Sequence, residues 1–257
     1  MMLEAKGLTK HFGGIMALNG VDLHLRKGEL AGLIGPNGSG KTTVFNLVTG
    51  IYRPDRGSVS IEGKPIVGLA PHRIHHLGVS RTFQNIRLFR NLTVMDNVRT
   101  AFHPRIGYGP LSALWRGGKY REGEREIRNK TLDLLALFSL QVRKDEIARN
   151  LPYGDQKRLE IARAVASGPK VLLLDEPAAG MNPSEVRALT DFLLEIRRRF
   201  DLTILLIEHQ MRLAMGICER LVVLDFGEVI AEGTPNEIRN DPRVVEAYLG
   251  RGSERLQ

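Results

Sequence analysis

Nine residues, Gly35-Pro36-Asn37-Gly38-Ser39-Gly40-Lys41-Thr42-Thr43, constrain this chain more than any other stretch, because their spacing of Gly, Lys and Thr is what a triphosphate requires of a backbone. Apolar Leu30-Ala31-Gly32-Leu33-Ile34 before them reads as a buried strand, and Val44-Phe45-Asn46-Leu47-Val48 after them continues as a helix. In that strand, loop, helix context the pattern becomes a phosphate site. Glycines 35, 38 and 40 let the backbone wrap inward, so that successive N–H groups and the helix N-terminus face the phosphates. Lys41 would meet the β- and γ-phosphates, and the Thr42 hydroxyl would ligate Mg²⁺. The whole run from Gly35 to Thr43 is expected to bind nucleotide.

A second buried-strand pattern, Val171-Leu172-Leu173-Leu174, ends in Asp175-Glu176-Pro177, two acids that cannot stay inside an apolar sheet unpaired. In open α/β sheets ligands bind beyond the carboxyl ends of the strands, and both acids fall there. Asp175 would hold Mg²⁺, directly or through water, opposite Thr42. Glu176 would accept a proton from the water that attacks the γ-phosphate, or orient that water. A third strand, Thr203 to Ile207, ends in Glu208-His209, the third polar strand end in a row. An α/β fold follows.

At 257 residues with 42% hydrophobic content, the chain is long enough for one large α/β domain or two small ones with a real core. The lone Cys218 excludes an intrachain disulfide framework and offers no metal cluster. No N-terminal segment resembles a signal peptide, and no stretch approaches the roughly 20 apolar residues of a membrane span, so the chain reads as soluble by itself. A net charge of +8 invites a nucleic-acid or anionic-membrane reading, but the basic residues are scattered and mixed with acids. Without the aromatic and basic alternation that stacks bases, no nucleic-acid partner is expected.

The order of these motifs, with Gln84 inside Arg81-Thr82-Phe83-Gln84-Asn85 and a segment Leu151-Pro152-Tyr153-Gly154-Asp155-Gln156, resembles the nucleotide-binding subunits of ABC transporters over essentially the full chain. The resemblance implies a P-loop core with a mainly parallel sheet, an N-terminal antiparallel β subdomain and an inserted helical subdomain. ATP and Mg²⁺ are the implied cofactors. Gln84 would touch Mg²⁺ or the attacking water and report occupancy to a transmembrane partner, His209 would contact the γ-phosphate, and Phe12 lies where the family sets an aromatic against adenine. Catalytic roles fall to Glu176, His209, Gln84 and Lys41, and metal-binding roles to Thr42, Gln84 and Asp175. In organisation, residues 1–29 and 57–66 suit the antiparallel subdomain, 30–56, 67–91 and 153–230 the catalytic core, and 92–152 the helical subdomain. The domain ends near 250, with 251–257 a tail, and Ala101 to Gly118 reads as a long loop.

Pro152 and Gly154 break any preceding helix, and a helix is expected to resume at Gln156, its N-terminus suited to an anion. By the resemblance, Tyr153, Gly154 and Asp155 would serve the nucleotide of a partner subunit, so that two ATP molecules are sandwiched between two such domains. The segment departs from the family pattern Leu-Ser-Gly-Gly-Gln, with Pro152 at the serine, Tyr153 at the first glycine and Asp155 at the glutamine, so backbone N–H groups near Gly154 would replace the hydroxyl. Asn182 stands where many relatives have Asp.

The phrases Ala70-Pro71-His72-Arg73-Ile74, Arg81 to Phe89, Ala178 to Pro183 and Val245 to Gly250 look like the LivG-type subunit of bacterial branched-chain amino-acid importers. That resemblance implies two transmembrane permeases, a second ATPase subunit, identical or homologous, and indirectly a periplasmic solute-binding protein. It implies a peripheral position on the cytoplasmic face of the inner membrane. Phe83, Ile86, Leu88 and Phe89, interleaved with Arg87 and Arg90, would supply part of a groove for a permease helix. Urea or amide importers and the lipopolysaccharide-export ATPase share much of this vocabulary. A soluble ABC protein acting on DNA or ribosomes would show tandem cassettes, a coiled-coil insertion or a basic linker, and none is evident.

Overall fold

Three strands that are buried along their whole length set the architecture of the computed structural model, which describes residues 1–102, 118–209 and 211–253. They are β3 (Leu30–Ile34), β7 (Val171–Asp175) and β8 (Thr203–Ile207), buried at all five positions as parallel strands covered on both faces must be. With β6 (Val79–Arg81), β9 (Arg220–Asp225) and β10 (Glu228–Gly233) they form a six-stranded sheet in the order β10-β9-β3-β8-β7-β6. All neighbours are parallel except β9 and β10, whose antiparallel pairing makes the edge. The carboxyl ends of β3, β6, β7 and β8 therefore share one edge of the sheet.

Residues Met1–Gln84 and Lys170–Gln257 make one compact unit. Beside the parallel sheet it holds an antiparallel sheet in the order β2-β1-β4-β5, from β1 (Leu3–Phe12), β2 (Ile15–Leu25), β4 (Arg56–Ile61) and β5 (Lys64–Pro65). One side of this sheet is apolar, with Leu3, Ala5 and Leu8 of β1 and Leu18, Val21, Leu23 and Leu25 of β2 buried. Helix α1 (Lys41–Val48) lies between the two sheets: Val44, Phe45, Leu47 and Val48 join one core with Leu33, Leu173 and Leu205 on one hand and Leu3, Leu8 and Val59 on the other. At about 25 cal/mol per Å² of apolar surface, the near-complete burial of Phe45 contributes roughly 2–3 kcal/mol. Helix α2 (Pro71–His76) precedes β6.

The second unit, Asn85–Pro169, is helical: α3 (Val94–Phe102), α4 (Gly118–Leu137), two 3₁₀ turns at Gln141–Arg143 and Ala148–Asn150, and α5 (Tyr153–Ala166). Two expectations are corrected here. The helix begins at Tyr153, three residues before Gln156, because Pro152 acts as its N-cap instead of a breaker. The helical unit then extends from 85 to 169 instead of 92 to 152, since α5 packs against α3 and α4. Of the expected loop from Ala101 to Gly118, the end residues 101, 102 and 118 are helical, and 103–117 lies outside the described residues.

The first unit closes with α6 (Pro183–Phe200), α7 (Met211–Ile217), α8 (Pro235–Asn240) and α9 (Pro242–Ser253), so the expected tail begins inside a helix. Arg197, Arg198 and Arg199 end α6, where cations offset the helix dipole. Among the described residues no helix is long and apolar enough to cross a membrane.

The end of β1 is tied down by Asp55, which accepts from Lys10 Nζ at 2.8 Å and from the His11 backbone N–H at 2.6 Å. The Lys10 and His11 bonds hold the Asp55 carboxyl down at about 2, below its ordinary 3.8. A depressed carboxyl contributes stability above its unfolded value and loses it as pH falls through the folded one. Asp55→Asn should therefore lower the urea midpoint at neutral pH, and its deficit against the parent should shrink between about pH 4 and 2.

Candidate nucleotide-binding site

Between β3 and α1 the chain turns through a loop that only a residue without a side chain could begin. Gly35 has φ +149°, and a Cβ there would lie 2.0 Å from the Leu224 carbonyl oxygen of β9. The β9–β10 turn supports the loop from outside, since Gly227 N–H donates to the Ser39 oxygen at 3.0 Å. Gly40 caps α1 at φ 106° with no side-chain acceptor, which leaves the first-turn N–H groups to a ligand. Lys41 Nζ donates to the carbonyls of Gly35 and Pro36, each at 2.8 Å, and is buried beneath the loop. Asn37, Gly38 and Thr42 are exposed, whereas Pro36 and Ser39 are buried and Gly40 and Thr43 are partly buried. From α9, the Tyr248 hydroxyl is buried near Gly35. Burial pushes it up to about 12, with the Gly35 amide opposing and the Asp225 charge adding to the rise.

Along the same sheet edge the acids have found partners. Asp175, at the end of β7, pairs with Arg81 at the end of β6: Arg81 Nη2 donates to Oδ2 at 2.7 Å, with both side chains almost fully buried. Arg81 Nη1 donates to Asn46 Oδ1 on α1 at 2.6 Å, and its guanidinium lies 5.3 Å from the Phe45 ring centroid and 5.0 Å from that of Phe83. Asp175 N–H donates to Thr82 Oγ1 at 3.2 Å. Glu176 follows in a left-handed conformation, φ 48°, and its N–H donates to the Ile207 carbonyl of β8 at 2.9 Å. Its Oε2 accepts from Gln84 Nε2 at 2.9 Å and stands 3.7 Å from His209 Nδ1. Glu176, Gln84 and His209 are thus brought together as one polar cluster.

Phe12, at the end of β1, is 40% exposed and meets Tyr52 edge to face, ring centroids 5.1 Å apart at 69°. The two aromatics together offer an exposed apolar surface. Tyr52 was not singled out in the sequence because nothing local links it to Phe12. Arg81, at the end of a buried strand, is itself a signal for a nearby acid, since a buried cation calls for a partner.

In the helical unit the segment 151–155 begins α5. Its N-cap, Pro152, accepts no side-chain bond, and a Cβ on Gly154 would stand in open space. Tyr153 is half exposed, with Lys157 Nζ 5.9 Å from its ring centroid. Asp155 pairs with Arg143 at 3.3 Å and Arg158 at 3.8 Å. Phe89 is half exposed under the Arg163 guanidinium, Arg87 and Arg90 are exposed, and Ile86 and Leu88 are partly buried. In the first unit Asn182 caps α6: its Oδ1 accepts from the N–H groups of Ser184 and Glu185, both at 3.0 Å.

Residues 18–179 match the family model described as ABC transporter, a span that runs from β2 through the phosphate loop to the residues after Glu176. The chain belongs to the ABC transporter ATP-binding family. Residues 228–254 of this ABC ATPase match a second model, branched-chain amino acid ATP-binding cassette transporter. The cassette is 45% identical over 249 residues to the high-affinity branched-chain amino acid transport ATP-binding protein LivG of Salmonella typhimurium, covering 97% of this chain and 98% of the relative. Its fold is similar to the ADP conformation of an ATP-binding cassette of an ABC transporter, with TM-score 0.83, 33% identity and 97% and 98% of the two chains covered. A dimeric cassette in a post-hydrolysis state bound to ADP and Pi is also similar, at TM-score 0.77 and 26% identity over 91% of this chain and 99% of that one.

Within the cassette, the Arg81–Asp175 pair can be tested apart from turnover. Arg81→Met leaves a buried carboxylate without its cation and should cost about 3–5 kcal/mol in urea unfolding. Arg81→Met with Asp175→Asn should cost clearly less than the sum of the two single substitutions, since the double variant has no charge left to compensate.

Proposed function

We propose that this ABC ATPase is the energy-coupling subunit of an importer for branched-chain amino acids. The observation that carries the reading is likeness to LivG across 97% of the chain, together with the match of its C-terminal residues 228–254. On this reading the chain lies on the cytoplasmic face of the membrane beneath two permeases fed by a periplasmic solute-binding protein. A second ATPase subunit, identical or homologous, completes the assembly. Two ATP molecules are sandwiched between the subunits, and closure of the pair rearranges the permeases.

Within one subunit, the loop amides from Gly35 to Thr43 take the phosphates, and Lys41 exchanges its two carbonyl acceptors for β- and γ-phosphate oxygens. Phe12 packs against adenine, with Tyr52 fixing the angle of its ring. Thr42, Asp175 and Gln84 would hold Mg²⁺. The donors fit, because all three side chains offer hard oxygen atoms, the kind of ligand Mg²⁺ takes. When bound, Mg²⁺ would supply neutralisation of phosphate charge. Asp175, with Oδ2 already on Arg81, would hold the ion directly or through water. Glu176 accepts the proton of the attacking water or orients that water, and Gln84, bonded to Glu176, registers whether the site is filled. His209 donates toward the γ-phosphate. The partner's nucleotide meets Tyr153, Gly154 and Asp155 at the start of α5.

Glu176→Gln should retain ATP binding and lose about 10²–10⁴-fold in hydrolysis, read as phosphate release beside equilibrium binding of ATP. Robust turnover by that variant would remove Glu176 from its role. For the biological reading, capture of the tagged chain from membranes of its native host should recover two permeases and a second ATPase subunit. Deleting its gene should abolish high-affinity leucine uptake. Recovery of exporter components alone would overturn the import assignment.

A further inference from the structure

Glu208 follows β8 directly, and its side chain has no exposure at all. Burying a carboxylate is costly unless its oxygens are satisfied, so a buried acid beside a site of chemistry calls for a physical reason. The two oxygens point to two different segments. Oε1 accepts from the Ala178 N–H at 3.0 Å, and Oε2 accepts from the His209 N–H at 3.2 Å. Ala178 lies two residues after Glu176, in the turn where Ala179 N–H donates to the Glu176 carbonyl at 3.2 Å.

Glu176 is consequently held from both sides by the end of β8. Its own N–H donates to the Ile207 carbonyl at 2.9 Å, and two residues later Ala178 is bonded to the neighbouring carboxylate. Between those bonds the backbone of Glu176 sits at φ 48°, a conformation that persists in a non-glycine residue only when its surroundings over-determine it. The second oxygen of the same carboxylate fixes the amide of His209, whose Nδ1 is 3.7 Å from Glu176 Oε2.

We propose that Glu208 is a positioning residue for ATP hydrolysis, its carboxylate setting the distance between the strand ends that carry Glu176 and His209. The inference rests on the ATPase reading above and on the roles given there to those two residues. Glu208 accepts from the Ala178 and His209 amides. It acts through the backbone of each, which is why a displacement of a fraction of an ångström at Ala178 or His209 reaches the reacting water. A carboxylate suits the task because both of its oxygens accept, whereas a carboxamide of the same volume accepts through one and presents a donor to the other amide.

Steady-state ATP hydrolysis by the purified full-length chain tests this with Glu208→Gln and Glu208→Ala, each also placed in a Glu176→Gln background. The expected result is a KM for ATP within twofold of the parent and a kcat lowered about tenfold in Glu208→Gln and further in Glu208→Ala. In the Glu176→Gln background, Glu208→Gln should change the residual rate by less than about twofold, because there is no longer a carboxylate to position. A Glu208→Gln variant with parental kcat overturns the proposal. So does a loss of rate that is equal in both backgrounds and tracks a fall in thermal midpoint, which marks Glu208 as a support of the fold alone. If the unsubstituted chain hydrolyses no ATP, the ATPase reading fails first, and that outcome is distinct from failure of the Glu208 role.

Discussion

A carboxylate at the end of a strand buried on both faces is stable only with a partner, and that requirement organises the polar edge of the parallel sheet. β3, β7 and β8 are buried along their full length, so the chain first reaches polar surroundings at their carboxyl ends. Three acids stand beside one another there, each with a different kind of partner: Asp175 with a guanidinium, Glu176 with a carboxamide, Glu208 with backbone amides. The partner decides what each acid has left to offer. Asp175 has its charge opposed by Arg81 and is anchored through it to α1, behind the phosphate loop. Glu176 accepts from a neutral donor, Gln84, and stands beside His209. Satisfying the acids and arranging the site are the same physical event.

The phosphate loop obeys a different constraint, since its shape is set by backbone packing. Gly35 fits because nothing but hydrogen can face the Leu224 carbonyl, and the β9–β10 turn is bonded to Ser39. Tyr248 of α9 approaches the same glycine. Tyr248 thus brings one residue of the segment that matches the branched-chain model up to the phosphate loop.

The parts of this arrangement that were legible in the sequence are the local ones. A strand of five apolar residues followed by Gly-x-x-x-x-Gly-Lys-Thr, or ended by Asp-Glu, carries its own context. Arg81 with Asp175, Phe12 with Tyr52 and Glu208 with Ala178 are pairs whose members lie far apart in the chain, and only strand order brings them together. Nothing in the residues around Glu208 says that its carboxylate turns inward. α5 starts before Gln156 for a local reason: Pro152 and Gly154 weaken a helix interior but not its first turn, where proline lacks only an N–H that has no helical acceptor anyway. Once α5 is extended to Tyr153 and packed on α3 and α4, the boundary of the helical unit moves with it.

The altered segment at 151–155 changes the chemistry available at that helix end. A serine N-cap would present a hydroxyl, whereas Pro152 presents none and instead fixes the chain at φ −53° as it enters α5. The first-turn amides are left without a side-chain acceptor, so an anion arriving there meets backbone dipoles alone. Asp155 in the same turn would repel that anion, but its charge is opposed by Arg143 and Arg158 within 4 Å, and the helix end is not a net acidic surface. Gly154 adds no Cβ and leaves the approach open. Loss of one hydroxyl is thereby offset by an open helix end whose nearest carboxylate is already paired. On the reading proposed above, recognition by backbone dipoles would depend more on closeness of approach than on any single donor, so the fit of the opposing subunit would decide how much that end contributes.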